Sequence, residues 1–235
     1  MKHSHQSFMY MNKSQSYIYP IFSREEVGSA GLSKDVIADI RSVIDTICGN
    51  GFFVGDYFVT AAHVISAVNY PFIKMNGQEI TLKQTDAIVW RIMSEDPKEE
   101  EYRNTNNADV AIFHVPNVGS PLQFSEKLPE PSTILSCNYH CHSKFCESQG
   151  VVGDKDFFLG NFFGCQMSPI HPTEGGSSGS PLIKDDIVYG ILHAGDTSDT
   201  SICVFSSAAY ALHLLRQHIG RNLTTVQNLT PLLNE

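Results

Sequence analysis

The chain is dominated by short apolar segments separated by turn residues, and this pattern restricts its fold more than any other feature. Such segments occur at residues 51–62, 71–93, 109–115, 132–139, 149–167 and 180–193. The first reads GFFVGDYFVTAA, in which Gly55-Asp56 predicts the turn of a β-hairpin. Many short strands of this kind predict an all-β barrel or sandwich, and the pattern alone does not choose between the two.

The two ends of the chain differ from this β-rich middle. Residues 1–22 are polar and aromatic without a clear period, which predicts an arm. Residues 206–220, SSAAYALHLLRQHIG, predict an amphipathic helix near the other end. Residues 33–47 also predict a helix, because apolar residues recur there three and four apart: Val36, Ile37, Ile40, Val43, Ile44 and Ile47.

Composition narrows the range of partners. The 235 residues carry a net charge of −9, whereas a protein that binds nucleic-acid phosphates needs a basic field, so we expect no nucleic-acid partner. No run of about 18 apolar residues is present, so we expect no membrane partner. The N-terminus does not resemble a secretory signal, which predicts a cytoplasmic location, with delivery into a host cell as the alternative. The sequence leaves the oligomeric state open.

The cysteines predict neither a disulfide framework nor a metal centre. Six cysteines in 235 residues are too sparse for a disulfide scaffold. Five potential metal ligands fall close together in the sequence: Cys137, His140, Cys141, His142 and Cys146. Their spacing matches no strong zinc template, so we favour a reduced loop with surface histidines over a zinc module. We expect no metal and no cofactor.

Three segments carry residue types suited to nucleophilic catalysis. His63 ends Thr60-Ala61-Ala62-His63, where small residues let the chain turn tightly after a strand. Asp109 stands directly before an apolar strand, and a buried carboxylate there needs a hydrogen-bond donor such as an imidazole. Ser178 lies in GGSSGSP, whose glycines permit an exposed hydroxyl and converging backbone N–H groups.

Each segment alone also has an ordinary structural interpretation, as a structural histidine, a turn-forming aspartate or a flexible linker. The linker is the weakest of these, because an apolar strand follows Pro181 at once. Together the three occur in the order His, Asp, Ser, which is the order of chymotrypsin and not that of subtilisin or the α/β-hydrolases. The chain resembles trypsin-like and chymotrypsin-like serine peptidases in TAAH, DVAI and GSSGSP, over roughly residues 45–220.

The resemblance implies an all-β fold of two six-stranded antiparallel β-barrels, with an N-terminal helical segment and a C-terminal helix. It divides the chain into an arm and helix at 1–44, a peptidase domain at 45–220 and a tail at 221–235. The boundary between the barrels is expected at about 117–132.

The resemblance also implies a serine endopeptidase that acts on a protein or peptide substrate through an acyl-enzyme. Ser178 corresponds to the nucleophile and His63 to the general base. Asp109 corresponds to the group that orients the imidazole. The backbone N–H groups of Gly176 and Ser178 correspond to the oxyanion hole.

Several positions depart from the digestive and clotting members of the family. Val64 and Glu174 stand where those enzymes have cysteines, and Ser177 stands where zymogen-type members have an aspartate. The resemblance is therefore to bacterial or viral members without the animal disulfide framework, and we expect a restricted set of protein substrates. The alternative is a catalytically silent binding protein that has this fold and has kept the triad without using it.

The substrate-binding S1 pocket has two interpretations. Family position assigns to it five residues: Pro172, Thr173, Leu192, His193 and Ala194. Thr173 with His193 could bind Glu or Gln, as in glutamyl-type and viral 3C-like enzymes. However, His193 stands one residue further from Gly190 than in those families, and a one-residue slip turns a strand side chain to the other face. We favour the register that results from this slip, in which His193 lies near Asp109 and Leu192 faces the pocket. The pocket would then prefer substrates with apolar or small side chains.

Overall fold

The structure, a computed structural model, describes residues 13–24, 45–94, 97–141, 144–168, 176–195 and 201–229. Within these ranges the chain forms two antiparallel sheets that follow one another in sequence. It passes from the first sheet to the second between residues 115 and 122.

The first sheet curls into a half-barrel of seven strands in the order β5-β4-β1-β2-β3-β7-β6. One row across its middle pairs Ile18 with Phe52, Phe52 with Val59, and Val59 with Ile112. The strands are β1 (Ile18–Arg24), β2 (Asp45–Val54), β3 (Tyr57–Thr60), β4 (Phe72–Met75), β5 (Gln78–Thr81), β6 (Val89–Arg91) and β7 (Val110–His114).

The second sheet closes into a six-stranded barrel. Its path is β10-β9-β13-β14-β15-β12, and β10 also pairs with β12, which completes the ring. Two short strands are added at its margin, because β11 pairs with β12 and β8 runs parallel to β14. The strands are β8 (Gln123–Phe124), β9 (Ile134–Cys141), β10 (Lys144–Val152), β11 (Phe158–Leu159), β12 (Phe162–Met167), β13 (Pro181–Lys184), β14 (Ile187–Gly195) and β15 (Ile202–Ser207).

Helices are few among the described residues. They are α1 (Ala62–Ser66), α2 (Glu99–Arg103) and α3 (Ala208–Leu229), with short 3-10 helices at Lys13–Tyr17, Gln84–Asp86 and Lys155–Phe157. Within this part of the chain no helix combines the length and the apolar character needed to cross a bilayer. The helix expected from residue 206 is present as α3, but it runs on to Leu229 through much of the expected tail.

Two expectations for the N-terminal region need correction. The arm predicted over residues 1–22 overlaps β1 from Ile18 onward, and β1 lies between β2 and β4, so this segment belongs to the first sheet. Of the helix predicted over 33–47, residues 45–47 lie in β2 and the rest lie outside the described residues. The Gly55-Asp56 hairpin is confirmed, because β2 and β3 pair on either side of it.

Each sheet encloses its own apolar core. Phe52, Phe58 and Ile112 belong to the first core, and Phe163 and Phe205 to the second. The helix α3 joins the two, because its buried residues Ala208, Ala211, Leu214 and Leu215 pack in the first core together with Val188 and Ile191 of the second barrel. The barrels therefore meet along a packed seam.

The stability of the second barrel depends on its buried aromatic rings. Phe163 is fully buried and stacks on Phe205 with ring centroids 5.8 Å apart. We expect Phe163→Ala to lower the free energy of unfolding by about 3–5 kcal/mol, because it removes apolar contacts and leaves a cavity. The control is Ile134→Ala, whose side chain in the same barrel is 59% exposed and whose loss we expect to cost about 0.5 kcal/mol or less. Equal losses in urea unfolding would contradict this assignment of the core.

Candidate active site

His63 lies at the edge of the first barrel, where β3 ends and α1 begins. The two alanines before it are fully buried, so a compact turn brings the imidazole to the surface, with 34% of its side chain exposed. The backbone N–H of His63 donates to Asp109 Oδ1 at 3.0 Å, and its Nδ1 is hydrogen-bonded to Asp109 Oδ2. Two contacts therefore fix the ring relative to the carboxylate.

Asp109 directly precedes β7 and is fully buried. Besides the two bonds from His63, its Oδ2 accepts a hydrogen bond from His193 Nδ1 at 2.7 Å. Burial is the largest influence on this carboxyl and opposes its ionisation, but the bonds from His193 and His63 outweigh it, and the pKa of Asp109 lies well below its usual range. Asp109 is therefore a carboxylate at neutral pH and accepts from both imidazoles.

His193 reaches Asp109 because β14 is irregular at that point. The pairing of β14 with β15 shifts register between Leu192 and Ala194, and the ring of His193 turns inward until only 8% of the residue is exposed. The structure thus has the register in which His193 lies at Asp109. The signal in the sequence was the position of His193 relative to Gly190.

The turn that carries Ser178 is held between both barrels. Gly176 and Gly179 have φ values of +97° and +83°, which favour glycine. At Gly179 any side chain would collide with the carbonyl of Asn50 and the hydroxyl of Thr60. The N–H of Gly179 donates to the carbonyl of Leu192 at 2.8 Å, which ties the turn to β14. None of the hydrogen bonds among the described residues joins Ser178 Oγ to His63.

Asn50 makes the contacts that join this turn to the first barrel. It is fully buried in β2, and its N–H donates to the carbonyl of Ser178 at 2.7 Å. Its Nδ2 donates to the carbonyls of Gly176 and His140 at 2.7 and 3.1 Å, and its Oδ1 accepts from the N–H of His140 at 2.7 Å. Sequence reasoning missed Asn50. The only hint was a polar residue between two glycines, Gly49 and Gly51, ahead of an apolar strand.

The residues expected in the S1 pocket lie in different places. Pro172 and Thr173 fall outside the described residues. Leu192 is buried in the core of the second barrel. Ala194 lines a cavity of about 410 Å³ beside His63, together with His193, Tyr102, Ile92, Met93, Ser66, Ala67, Ser94 and Pro97.

Among the described residues, the cysteines and histidine of β9 and β10 have different surroundings. Cys137 is buried in the core, and the Nε2 of His140 donates to the carbonyl of Ile18 at 3.0 Å. Burial lowers the pKa of His140, although that hydrogen bond acts in the opposite direction. His142 lies outside the described residues. All six cysteines are free thiols, and burial raises the pKa of Cys48 to about 11 and that of Cys203 to about 12.

One group of potential metal ligands does come together within the described ranges. The ligand atoms of His63, Asp109 and His193 lie within 4.8 Å of one another. Both imidazoles, however, point Nδ1 at the same carboxylate oxygen at hydrogen-bonding distance. The arrangement is therefore a chain of hydrogen bonds, with the carboxylate in its middle.

No protein-family model matches the sequence, and no curated protein is similar to it in sequence. Solved structures are similar in fold. The active form of the Rv3671c protease from M. tuberculosis is 18% identical, over 86% of this chain and 81% of that one, with a TM-score of 0.55. The serine endoprotease from Yersinia pestis is 15% identical, over 88% of this chain and 64% of that one, with a TM-score of 0.59. The mammalian kallikrein-related peptidase 10 is 14% identical, over 89% of this chain and 98% of that one, with a TM-score of 0.56. The chymotrypsin fold is confirmed.

The ionised state of Asp109 makes the stability of the fold sensitive to acid. Because the pKa of this carboxyl is lower in the folded than in the unfolded chain, its contribution is present above about pH 4 and is lost as pH falls towards the folded value. We expect the free energy of unfolding to fall between about pH 5 and pH 3, and to fall less steeply in Asp109→Asn. The control is Glu147→Gln, which removes an exposed carboxyl on β10. Its free energy of unfolding should change with pH as steeply as that of the wild type. Equal slopes in all three proteins, measured by urea unfolding, would contradict the assignment.

Proposed function

We propose that this chain is a serine endopeptidase that hydrolyses peptide bonds through an acyl-enzyme on Ser178. The observation that carries the proposal is the pair formed by His63 and the buried Asp109 carboxylate. Since that carboxylate occupies Nδ1, the neutral imidazole has its basic nitrogen at Nε2, and one third of the His63 side chain is exposed. This is the state that a general base for a serine hydroxyl needs.

The reaction follows from these positions. His63 Nε2 takes the proton of Ser178 Oγ as the oxygen attacks the carbonyl carbon of the substrate. The imidazolium that forms faces the Asp109 carboxylate, and its proton passes to the leaving amine when the peptide bond breaks. Water then attacks the acyl-enzyme with His63 again as the base, which releases the acid and restores Ser178.

The N–H groups of Gly176 and Ser178 are proposed to stabilise the oxyanion of the tetrahedral intermediate. In support, the carbonyl of Gly176 is held by Asn50 Nδ2 and the carbonyl of Ser178 by the N–H of Asn50. Each of these carbonyls lies in the peptide group that follows one of the two donors, so the bonds hold the backbone next to each donor before substrate binds. Removing one such donor in other enzymes lowers turnover by about 10²–10³.

A hydrogen bond from Ser178 to His63 is not required in the free protein. Such bonds are often long or poorly aligned until substrate binds. The packing around the turn supports a short approach between the two residues. A side chain at Gly49 would collide with Val64, which follows His63, and would lie 3.2 Å from the carbonyl of Ser178.

The cavity beside His63 supports a preference for apolar substrate side chains. Ile92, Met93 and Ala194 contribute apolar surface to it. His193 donates to Asp109, so its ring is not available to bind the Glu or Gln side chain of a substrate. We therefore propose a restricted set of protein substrates with apolar or small residues at the cleavage site.

Labelling with a fluorophosphonate tests the nucleophile directly. We expect the wild-type protein to be labelled on Ser178, because only a serine activated by its base reacts readily with this reagent. Ser178→Ala should abolish labelling, and Ser177→Ala, which removes the neighbouring hydroxyl, should retain it. Absence of labelling in the folded wild type would favour the catalytically silent binding protein, and labelling that persists in Ser178→Ala would assign the nucleophile elsewhere.

A further inference from the structure

We infer that His193 is a positioning residue of the catalytic machinery: a second imidazole that holds the Asp109 carboxylate, with its own tautomer fixed by Tyr102. The inference rests on the proposed function. It adds two residues to the triad and makes the loop that carries Tyr102 part of the active site.

The direction of each bond follows from the chemistry of the groups. The Asp109 carboxylate has no proton to give, so His193 Nδ1 is the donor in their 2.7 Å bond. In the neutral ring Nε2 then carries no proton, and the Tyr102 hydroxyl, 3.2 Å away, donates to it. The result is an ordered chain from Tyr102 through His193 to Asp109, which His63 approaches from the other side.

His193 is held more firmly than His63. Its ring is buried and packs against Phe162, Tyr102 and His63, with centroid distances of 5.5, 5.8 and 5.6 Å. His63 is one-third exposed, and its ring exchanges protons with Ser178 and the leaving group in the proposed reaction. His193 therefore supplies a donor to Oδ2 that stays in place throughout the cycle.

A fixed donor is needed because the carboxylate is fully buried. An ionised group in an apolar interior is costly unless it is hydrogen-bonded. Without His193, the donors to the carboxylate among the described residues would come from His63 alone, which uses its ring and its backbone N–H. Whenever the His63 ring moved, the bond from its backbone N–H to Oδ1 would remain but Oδ2 would lose its donor, and the base would be aligned less well with Ser178.

Tyr102 links α2 to this chain of hydrogen bonds. It lies in α2, where Glu99 pairs with Arg103 and Glu101 accepts from Ser94. The phenol also lines the cavity beside His63. The helix α2 thus contacts His193, and through it Asp109, by way of the Tyr102 hydroxyl.

Two substitutions separate a positioning role from a packing role. His193→Leu keeps the bulk of the side chain but removes the donor, whereas His193→Asn loses bulk but keeps an N–H that can reach Asp109. We expect kcat to fall about 10–100-fold in His193→Leu with KM changed less than about threefold, because a hydrogen bond to a charged group is lost. His193→Asn should restore kcat to within about threefold to fivefold of wild type. The reverse order, with leucine tolerated and asparagine harmful, would overturn the inference.

Proton NMR provides a readout that does not depend on catalysis. In Ser178→Ala protein we expect two low-field imidazole N–H resonances, one from each histidine bonded to Asp109. When His193→Leu or His193→Asn is made in the Ser178→Ala protein, only the imidazole resonance of His63 should remain. Tyr102→Phe should keep both and speed the solvent exchange of one. A single resonance before any change at position 193 would overturn the inference.

The two proposals fail in different ways. If the wild type is not labelled by fluorophosphonate but the Ser178→Ala protein shows both resonances, the peptidase proposal fails while the shared carboxylate stands. If the wild type is labelled and His193→Leu, folded by circular dichroism, keeps full kcat, the positioning role fails while the peptidase proposal stands. Should His193→Leu not fold, Tyr102→Phe carries the test, with an expected loss in kcat of about twofold to tenfold. Unchanged kcat in that variant would overturn the role of Tyr102.

Discussion

Asn50 lies in β2 of the first barrel and its side-chain amide is hydrogen-bonded to the second, and the geometry of the cleft depends on this link. Its side chain reaches Gly176 and His140 in the second barrel, while its backbone N–H holds Ser178. Because every donor and acceptor of the amide is used in a fully buried position, a shift of one barrel against the other would leave polar groups unpaired. These bonds therefore fix the turn that carries Ser178 to β2 of the first barrel.

A second constraint is the charge placed inside the seam between the barrels. The Asp109 carboxylate is buried and remains ionised because His63 comes to it from the first barrel and His193 from the second. Its own N–H also donates to Ser206 Oγ of β15 at 3.2 Å. Burial of the charge and assembly of the two barrels are thus coupled, since neither barrel alone contributes both imidazoles.

The fold and the pairing of His63 with Asp109 could be predicted because their signals are local. A few consecutive residues are enough to predict each of three features: the TAAH turn, the strand after Asp109 and the glycine-rich turn. The strand β1 was missed because its residues show no clear alternation, and its pairing with β2 depends on contacts distant in sequence. Asn50 and Tyr102 were missed for the same reason, because a polar residue between glycines and a tyrosine in an acidic loop acquire their roles only from partners across the cleft.

Peptide hydrolysis that depends on Ser178 is the central claim, and sequencing of new N-termini tests it most directly. Wild-type protein and Ser178→Ala are incubated separately with the same proteome, and the termini that each creates are identified by mass spectrometry. The account predicts a limited set of new termini with the wild type alone, with apolar or small residues on the acyl side of the cleaved bonds. The account would be contradicted if both proteins created the same termini, or if the folded wild type created none.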